Sequence, residues 1–344
     1  MLTLGIESSC DDTACAVLED GRVVLSSLIS SQLNLHARFG GVVPELASRE
    51  HLKVIGALFE ESLQSSEKKI EDIELIAVTN GPGLVGSLLV GSSFAKGLAM
   101  MRSLPLVPVN HVHAHVYGAF LGLETDLYSE ENTATMFPSL ALVASGGHTH
   151  LYRMLDPLDF QLLGYTVDDA CGECFDKVAK LLGLSYPGGP VIEAMARRFT
   201  DSLGDEASVS SSLEMPKMMN QSSLLFSYSG LKTHLYYLVQ KESQNGALSE
   251  RRKEEICFAF QEEALGQILR KLQIAAEENR DIRSIVIAGG VSANKRFRQM
   301  MEEKFGANMK PSKRTSRSIP FFFPKLDYCS DNAAMVASYG AAIY

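Results

Sequence analysis

The chain contains the same predicted arrangement of strands and turns twice, and this repeat restricts the folds that are open to it. In each half an apolar strand, at Leu2–Glu7 and Ser139–Ala144, is followed by a small polar turn and two more predicted strands. Each half later reaches an apolar strand that ends in glycines, at residues 75–80 and 284–288. Apolar runs without polar alternation are typical of strands covered on both faces. The pattern predicts an α/β protein of two related lobes, with a cleft between them where the turns meet.

The length and the polar segments suggest where the lobes begin and end. A chain of 344 residues is long enough for two domains. We expect a first lobe over residues 1–122, a polar connection over 123–137 and a second lobe over 138–329. A polar insertion rich in Ser and Met is expected near 201–223, and the last predicted helix, 330–344, is expected to pack back on the first lobe.

The composition is that of an ordinary globular protein and excludes several other classes. Hydrophobic residues make up 46% of the chain and charged residues 21%, which argues against disorder, collagen or a scaffold built on the six cysteines. The net charge of −9 disfavours a protein that binds nucleic acid through bulk positive charge. It leaves open a local basic patch, for which the candidates are Lys304, Lys310, Lys313, Arg314 and Arg317. A solvated loop without contact to RNA is the alternative for this segment.

Neither the N-terminus nor any apolar segment predicts secretion or membrane insertion. The first residues contain no basic region and reach Asp11 and Asp12 early, unlike a signal peptide. The best candidate for a membrane span, residues 83–101, contains several Gly and Ser residues and Lys96, which favours a buried, closely packed helix. We therefore expect a cytoplasmic protein that does not associate with membranes.

Two histidines four residues apart are the strongest candidates for metal ligands. Asn110 is a good helix N-cap, and in the helix that it begins His111 and His115 share one face while His113 points nearly the opposite way. This spacing suits one metal ion, and simple packing or capping is the alternative. The H-E-x-x-H motif of metalloproteases also needs a glutamate beside the first histidine, and this chain has Val112 there.

An aspartate and two glycine-rich turns are further candidates for a site at the cleft. Asp331 precedes the last predicted helix, where it either caps the helix or completes a metal site begun by the histidines. The turn at 145–149 and the pair Gly289-Gly290 can aim backbone N–H groups at an anion, and the pair opens a predicted helix whose N-terminus favours negative charge. A plain tight turn is the alternative for each.

Two common motifs have structural explanations here. Residues 81–86 match G-x-G-x-x-G, but no acidic residue follows about 20 positions later to hold a ribose, and this strand comes third in its half rather than first. These glycines favour tight packing of a strand against a helix. Cys171 and Cys174 form a C-x-x-C without a second pair or a redox fold, so we interpret them as packing residues.

Several long motifs occur in the same order as in one known family. They are residues 5–13, 40–49, 81–86, 145–149, 226–233, 288–294 and 329–335, together with His111 and His115. With these motifs the chain closely resembles the TsaD family, tRNA N6-adenosine threonylcarbamoyltransferases once labelled O-sialoglycoprotein endopeptidases, over nearly its whole length. The resemblance implies the actin-like ATPase (ASKHA) fold, in which two ribonuclease H-like lobes enclose a central cleft.

The same resemblance implies an acyltransferase activity, a cofactor and partners. The family transfers a threonylcarbamoyl group from threonylcarbamoyl-AMP to the N6 amine of the adenosine 3′ of the anticodon, in tRNAs that read codons beginning with A. Bacterial members work with an inactive paralogue, TsaB, and a small ATPase, TsaE. One divalent metal ion per subunit is implied, with Fe²⁺ as the expected ion and Zn²⁺ as the alternative.

Carried over by position, the resemblance assigns roles to individual residues. The metal ligands are expected to be His111, His115 and Asp331. The adenylate pocket is expected to contain Val143, Ala144, Ser145, Gly146, Gly147, Asp176, Gly189, Glu193 and Asn294. Glu193 stands where many relatives have an aspartate that contacts the ribose. Asp11 is the catalytic candidate, because Asp12 is one methylene shorter than the glutamate usual at that position.

A metallopeptidase, a non-catalytic scaffold subunit of the same complex and a small-molecule kinase are the competing functions. The missing glutamate beside His111 argues against the first, and a scaffold subunit is expected to lack the two histidines and the aspartate that this chain has. Net phosphorylation of a substrate would distinguish the kinase. On the first lobe, the helix after Gly86, with Ser87, Gly91 and Ser92, is expected to pack against the TsaB-like paralogue.

Overall fold

The computed structural model of the protein describes residues 1–121, 130–203, 211–217, 223–306 and 318–344. The expected connection at 123–137 and the expected insertion near 201–223 lie partly outside the described residues. Four of the five basic candidates, Lys310, Lys313, Arg314 and Arg317, lie wholly outside them, so their predicted contact with RNA stays a prediction.

The first lobe is built on a five-stranded mixed sheet. Its strands are β1 (Leu2–Glu7), β2 (Asp12–Glu19), β3 (Val23–Ser31), β4 (Leu75–Gly81) and β5 (Leu106–Asn110). Its helices are α1 (Leu33–Ala37), α2 (Pro44–Ser65), α3 (Val85–Arg102) and α4 (His111–Phe120). The strand order is β3-β2-β1-β4-β5, with β1, β2 and β3 antiparallel and both β4 and β5 parallel to β1.

The second lobe repeats this topology. Its strands are β6 (Ser139–Ala144), β7 (Thr149–Met154), β8 (Phe160–Tyr165), β9 (Ser284–Ala288) and β10 (Phe321–Phe322), in the order β8-β7-β6-β9-β10. The described helices are α5 (Glu130–Met136), α6 (Cys171–Leu181), α7 (Gly188–Asp201), α8 (Ser229–Glu242), α9 (Glu250–Glu278), α10 (Lys295–Phe305) and α11 (Ala333–Ile343). The two sheets have the same strand order and the same directions, so the repeat seen in the sequence corresponds to two related lobes.

The central strands explain why the sheets form where the apolar runs lie. Every residue of β6 and of β9 is buried, as expected for strands with helices on both faces. Each fully buried Leu, Ile or Val contributes about 1.5–3 kcal/mol relative to the exposed side chain. The ends of these strands therefore have fixed positions.

Two helices are exchanged between the lobes, and this exchange builds the site. Helix α4 follows the first sheet in sequence but packs against β6 and β9 of the second sheet. Helix α11 comes from the second half and packs against β1, β2 and β4 of the first sheet and against α4. A side chain on Gly5 would overlap the backbone of Ala333, so the absence of one lets α11 lie directly on β1. The helix predicted over 330–344 thus packs on the first lobe.

Three element boundaries differ from the sequence-based expectation. The helix that the pair Gly289-Gly290 is expected to open is preceded by a 3-10 turn at Gly290–Ala293, and α10 begins only at Lys295, after the N-cap Asn294. The apolar run at residues 319–323 predicts a strand, but only Phe321 and Phe322 are paired. The last helix begins at Ala333 because the side chain of Asn332 caps it.

Residues 168–182 have the amphipathic pattern of one helix, but the helix in the structure begins only at Cys171. Asp168 accepts four hydrogen bonds from residues 227–229, at 2.5–3.1 Å. Asp169 pairs with Lys177 at 2.6 Å and with Lys232 at 2.7 Å. The two carboxylates therefore tie the segment just before α6 to the beginning of α8.

Among the described residues, no helix has the length and apolarity needed to cross a membrane.

Candidate active site and metal centre

Helix α4 places two imidazole rings at the cleft. The side chain of Asn110 accepts hydrogen bonds from the backbone N–H groups of Val112 (2.9 Å) and His113 (3.1 Å), as the sequence predicts for a cap. His111 and His115 follow on one face, with ring centroids 4.7 Å apart, and are 3% and 0% exposed. The N-cap therefore fixes the register that brings the rings together.

Asp331 approaches these rings from the segment before α11. Its Oδ1 atom lies 3.1 Å from Nε2 of His115 and 3.6 Å from Nε2 of His111. Asn332 holds this segment by accepting from the N–H of Met335 at 2.9 Å and donating to the carbonyl of Ser330 at 2.8 Å. Because Asn332 caps α11, the carboxylate of Asp331 is not used for capping.

The three side chains fit a divalent metal ion. One ligand atom of each of His111, His115 and Asp331 lies within 4.8 Å of the others. Nε2 of His115 is not aligned for a hydrogen bond to Asp331, and neither ring nitrogen of His115 has another hydrogen-bond partner in the described part of the chain. Leaving buried polar atoms unpaired is unfavourable. A cation bound by two imidazoles and one carboxylate would satisfy them, and this donor set suits both Zn²⁺ and Fe²⁺.

His113 lies outside this cluster. Its ring stacks on Phe160, with centroids 4.0 Å apart and an interplanar angle of 4°. Its Nδ1 atom is 3.2 Å from the hydroxyl of Tyr339. His113 therefore joins α4 to β8 and α11, and its position agrees with the helical geometry inferred from the sequence.

A buried carboxylate that sequence reasoning missed lies behind His111. Glu7, at the end of β1, has Oε2 at 3.1 Å from Nδ1 of His111 and is fully buried. Burial favours the neutral imidazole, but the carboxylates of Glu7 and Asp331 outweigh burial and raise the pKa of His111 to about 9. The same ring keeps the pKa of Glu7 below its ordinary value although burial raises it.

The glycine turn of the second lobe adjoins the histidines. The ring of His148, in the turn between β6 and β7, has its centroid 5.8 Å from that of His111. The turn is closed by the N–H of Ser145 donating to the carbonyl of His148 at 2.8 Å. A side chain at Gly146 or Gly147 would meet no atom of the described residues within 4 Å, so both glycines border open space in that part of the chain.

The N-terminus of α6 supports this turn. The N–H of Cys171 donates to Oγ1 of Thr149 at 2.9 Å, and the N–H of Gly172 donates to the carbonyl of Ser145 at 3.1 Å. Cys171 and Cys174 are buried and free, and burial raises the pKa of Cys171 to about 12. Both cysteines are therefore unreactive packing residues, as predicted.

Other predicted pocket residues lie on neighbouring elements. Val143 and Ala144 are the buried end of β6, so they lead directly into the glycine turn. The carboxylate of Asp176 accepts from the N–H of Gly188 at 2.7 Å, and burial raises its pKa to about 6. Gly189, at the start of α7, borders open space as Gly146 does.

Glu193 and Asn294 are bonded to the protein itself. Oε1 of Glu193 accepts from the N–H of Lys295 at 2.9 Å. Asn294 caps α10 by accepting from the N–H of Phe297 at 2.9 Å and donates to Gln261 at 2.9 Å. In this structure both side chains therefore fix the first turn of α10, a role that the sequence alone did not indicate for Glu193.

The first-lobe turn at residues 8–13 carries Asp11 and Asp12. His51, fully buried, donates to the carbonyl of Cys10 at 3.0 Å and bonds the hydroxyl of Thr13 at 2.7 Å, so it fixes both ends of the turn. Burial and nearby carboxylates raise the pKa of Asp12 to about 7. Asp11 lies at the partly exposed tip of this turn.

Two of the three predicted interface residues of α3, Ser87 and Gly91, face the protein's own sheet. Gly91 is buried, and a side chain there would overlap the hydroxyl of Ser8, while Ser87 donates to the carbonyl of Cys10 at 3.1 Å. The expectation that Gly91 lies at a partner surface is therefore wrong. The small residues allow α3 to pack closely on β1 and the turn that follows it.

The opposite face of α3 is apolar and exposed. Val85 is 83% exposed and Leu89 63%, and Leu52 on the adjacent α2 is 70% exposed. Between α2 and α3 runs a groove lined by Leu52, Ile55, Leu89, Val90, Ser93 and Phe94. Leu52 and Leu89 therefore form part of an exposed apolar groove on the first lobe.

Comparisons with known proteins agree on one family. The model of the TsaD family, tRNA N6-adenosine threonylcarbamoyltransferase, matches residues 23–338. A protein of that name from Syntrophotalea carbinolica is 42% identical over 343 residues, covering 99% of this chain and 91% of the relative. Another from Kosmotoga olearia is 43% identical over 338 residues, covering 98% and 92%.

Two solved structures share the fold at low sequence identity. Component A of (R)-2-hydroxyglutaryl-CoA dehydratase from Acidaminococcus fermentans has a TM-score of 0.53 at 16% identity, over 100% of this chain and 98% of that one. The activator of 2-hydroxyisocaproyl-CoA dehydratase from Clostridium difficile has a TM-score of 0.51 at 12% identity, over 100% and 95%. The predicted actin-like ATPase fold is thus confirmed. By family model and by full-length identity, the chain belongs to the TsaD family of tRNA N6-adenosine threonylcarbamoyltransferases.

Proposed function

We propose that the protein transfers a threonylcarbamoyl group from threonylcarbamoyl-AMP to the N6 amine of the adenosine 3′ of the anticodon, in tRNAs that read codons beginning with A. Family membership supports the reaction class. The observation that supports the site is the 5.8 Å separation between the rings of His111 and His148. This separation places the proposed metal ligands next to the glycine turn at residues 145–149. One molecule of threonylcarbamoyl-AMP can therefore contact both the metal centre and the turn.

The reaction joins a weak aromatic amine to an activated carbonyl. The C–N bond to N6 forms, the bond from the carbonyl carbon to the phosphate oxygen breaks, and AMP leaves. The amine loses a proton, for which the carboxylate of Asp11 is the proposed acceptor. A divalent ion held by His111, His115 and Asp331 would supply Lewis acidity and a template for the transferred group.

The chain's own residues bind and orient the donor. The backbone at Gly146 and Gly147 can approach the phosphate closely because no side chain intervenes. At the N-terminus of α7, the N–H of Gly189 favours negative charge as AMP departs. Asp176 fixes that N-terminus through Gly188. Glu193 and Asn294, which fix the first turn of α10, are further proposed contacts of the adenylate.

The proposed partners are tRNA, a TsaB-like paralogue and a TsaE-like ATPase. The exposed apolar face of α2 and α3 supports a protein partner on the first lobe, and we assign it to the paralogue. Anticodon-loop bases are accessible single strands, so stacking and phosphate contacts can position the adenosine without opening a duplex. The tRNA substrate also suits the expected cytoplasmic location.

A reconstituted reaction tests the proposal. The protein is incubated with its partners, threonylcarbamoyl-AMP and unmodified tRNA, and the nucleosides are analysed by mass spectrometry. Threonylcarbamoyladenosine should form with the wild type and be lost in His111→Ala, together with stoichiometric metal. His113→Ala is the matched control, because it removes a ring from the same helix but outside the cluster. Full transfer and full metal content in His111→Ala would contradict the metal assignment.

The structure gives no support to the alternatives. The residue beside His111 is Val112, which is 2% exposed, so α4 offers no carboxylate to a peptidase reaction. A non-catalytic scaffold subunit has no need of His111, His115 and Asp331 brought within 4.8 Å of one another.

A further inference from the structure

Glu7 is a carboxylate in a place where packing alone would select an apolar side chain. It ends β1, a strand whose last five residues are all buried, and is itself 0% exposed. An unpaired carboxylate in such a position is strongly disfavoured. The groups that surround it therefore decide what it does.

Three donors converge on this carboxylate. The N–H of Ser9 donates to Oε1 at 2.5 Å, and the hydroxyl of Thr79 donates to Oε2 at 2.5 Å. The third is Nδ1 of His111, 3.1 Å from Oε2. These donors come from the turn after β1, from β4 and from α4, so the carboxylate joins three elements at the floor of the site.

The hydrogen-bond chemistry fixes the tautomer of His111. An ionised carboxylate only accepts hydrogen bonds, so the proton between Glu7 and His111 must be on Nδ1. The hydroxyl of Ser9, 3.2 Å from the same nitrogen, can accept a share of that proton. With Nδ1 protonated, a neutral ring presents its lone pair at Nε2, the atom that lies 3.6 Å from Asp331.

We propose that Glu7 is a positioning residue that orients the ring of His111, holding Nδ1–H toward β1 and presenting Nε2 as the ligand of the metal ion. His115 differs, since neither of its ring nitrogens is hydrogen-bonded within the described residues. His111 is therefore the ligand whose direction is set before the ion binds. This inference rests on the metal centre of the proposed function.

Carboxylate partners of this kind orient ligand histidines and raise their basicity, and their loss typically lowers metal affinity by about 10–100-fold. The test compares Glu7→Gln with Thr79→Val, using Zn²⁺ as the probe and competition with a chromophoric chelator as the measurement. Glu7→Gln removes the charge that faces His111. Thr79→Val removes a hydrogen bond to the same oxygen but leaves the pair of Glu7 and His111 intact, so it controls for general damage to this buried cluster.

Glu7→Gln should lose about 10–100-fold in Zn²⁺ affinity, and Thr79→Val should change it by less than about threefold. Nitrogen-15 NMR of histidine-labelled, Zn²⁺-loaded wild type provides a second test that does not depend on a variant folding. It should show His111 protonated at Nδ1 and metal-bound at Nε2. The Co²⁺ absorption spectrum of each variant adds a readout of ligand geometry.

Wild-type Zn²⁺ affinity in a folded Glu7→Gln, or NMR showing Nδ1 of His111 bound to the metal, would overturn the inference and leave the proposed transferase function standing. Equal losses in Glu7→Gln and Thr79→Val would also overturn it, because the effect would then be general destabilisation. A wild-type protein that binds no Zn²⁺ or Fe²⁺ would overturn the metal centre itself, and the inference with it.

Discussion

The backbone N–H of Gly172 donates a hydrogen bond to the carbonyl oxygen of Ser145, 3.1 Å away, and a Cβ atom at 172 would lie 2.6 Å from that same oxygen. The first turn of α6 therefore presses directly on the glycine turn at the cleft. Only a glycine permits this approach, so the shape of the proposed donor pocket depends on a residue that does not line it.

Gly172→Ala should therefore impair donor binding from outside the pocket. The methyl group forces α6 away from Ser145, and overpacking of this kind costs about 1–3 kcal/mol of unfolding free energy. We expect the affinity for a non-hydrolysable threonylcarbamoyl-AMP analogue, measured by calorimetry, to fall at least about tenfold. Gly56→Ala, where a Cβ meets nothing within 4 Å, is the control. Unchanged affinity in a folded Gly172→Ala would show that the turn does not contact the donor.

Gly147→Ala should weaken binding of the threonylcarbamoyl-AMP donor without lowering the stability of the fold. A Cβ at 147 meets no atom within 4 Å among the residues that the structure describes, so the unfolding temperature should not fall. If the donor occupies that open space, the added methyl group overlaps it, and KM for the donor should rise by about tenfold or more. Gly97→Ala, at an equally open position on α3, should leave KM unchanged. Equal KM values for the two variants would place the donor elsewhere.

Leu89→Glu should disrupt the proposed pairing with the TsaB-like paralogue. A charge in the centre of an apolar contact is left desolvated and unpaired, so Kd for the paralogue should rise by about tenfold or more. Analytical ultracentrifugation or calorimetry measures this. Leu162→Glu is the control, since Leu162 is also exposed, at 52%, but lies on the edge strand of the other lobe. Loss of binding in Leu162→Glu alone would move the interface to the second lobe.

The ionisation of Asp12 should lower the free energy of unfolding as the pH rises. Burial, together with the carboxylates of Asp11, Asp331 and Glu7, raises its pKa from an ordinary 3.8 to about 7, although a hydrogen bond from Ser31 opposes this. Between these pH values the folded state keeps a proton that the unfolded state has lost. The free energy of unfolding therefore falls as the pH rises from about 4 to about 7.

Asp12→Asn removes this dependence at nearly constant shape. Relative to the wild type, the variant should gain about 1–3 kcal/mol of unfolding free energy at pH 8 and little at pH 4, measured by urea unfolding of chelator-treated protein. A stability difference between wild type and variant that stays constant over this range would show that Asp12 ionises normally in the folded state.

Local spacing was enough to predict part of the site. His111 and His115 are four residues apart, so they share one face of a helix. Asn110 identifies where that helix begins. Asp331 was ambiguous between capping and metal binding, because the sequence does not show which of two neighbouring polar residues caps the helix. The structure assigns the cap to Asn332, which leaves the carboxylate of Asp331 facing the histidines.

The remaining features of the site could not be predicted, because they depend on packing between elements that are far apart in the sequence. Glu7 ends an apolar strand, and its role depends on β4 and α4 coming together beside it, which no local pattern encodes. A charged residue at the end of a mainly apolar strand was the available signal. Gly91 shows the opposite difficulty, because small residues on a helix predict a close approach without showing what approaches. Here the neighbour is Ser8 of the same lobe, not a partner protein.

The exchange of α4 and α11 between the sheets has a consequence for synthesis. The first sheet emerges early from the ribosome, yet the helix that covers one of its faces is encoded at residues 333–343, after the whole second sheet. Until those residues appear, the nascent chain exposes an apolar surface and lacks Asp331. A message truncated shortly before that point would therefore yield a polypeptide with an uncovered sheet and an incomplete ligand set, a target for chaperones and proteases rather than a partly active enzyme.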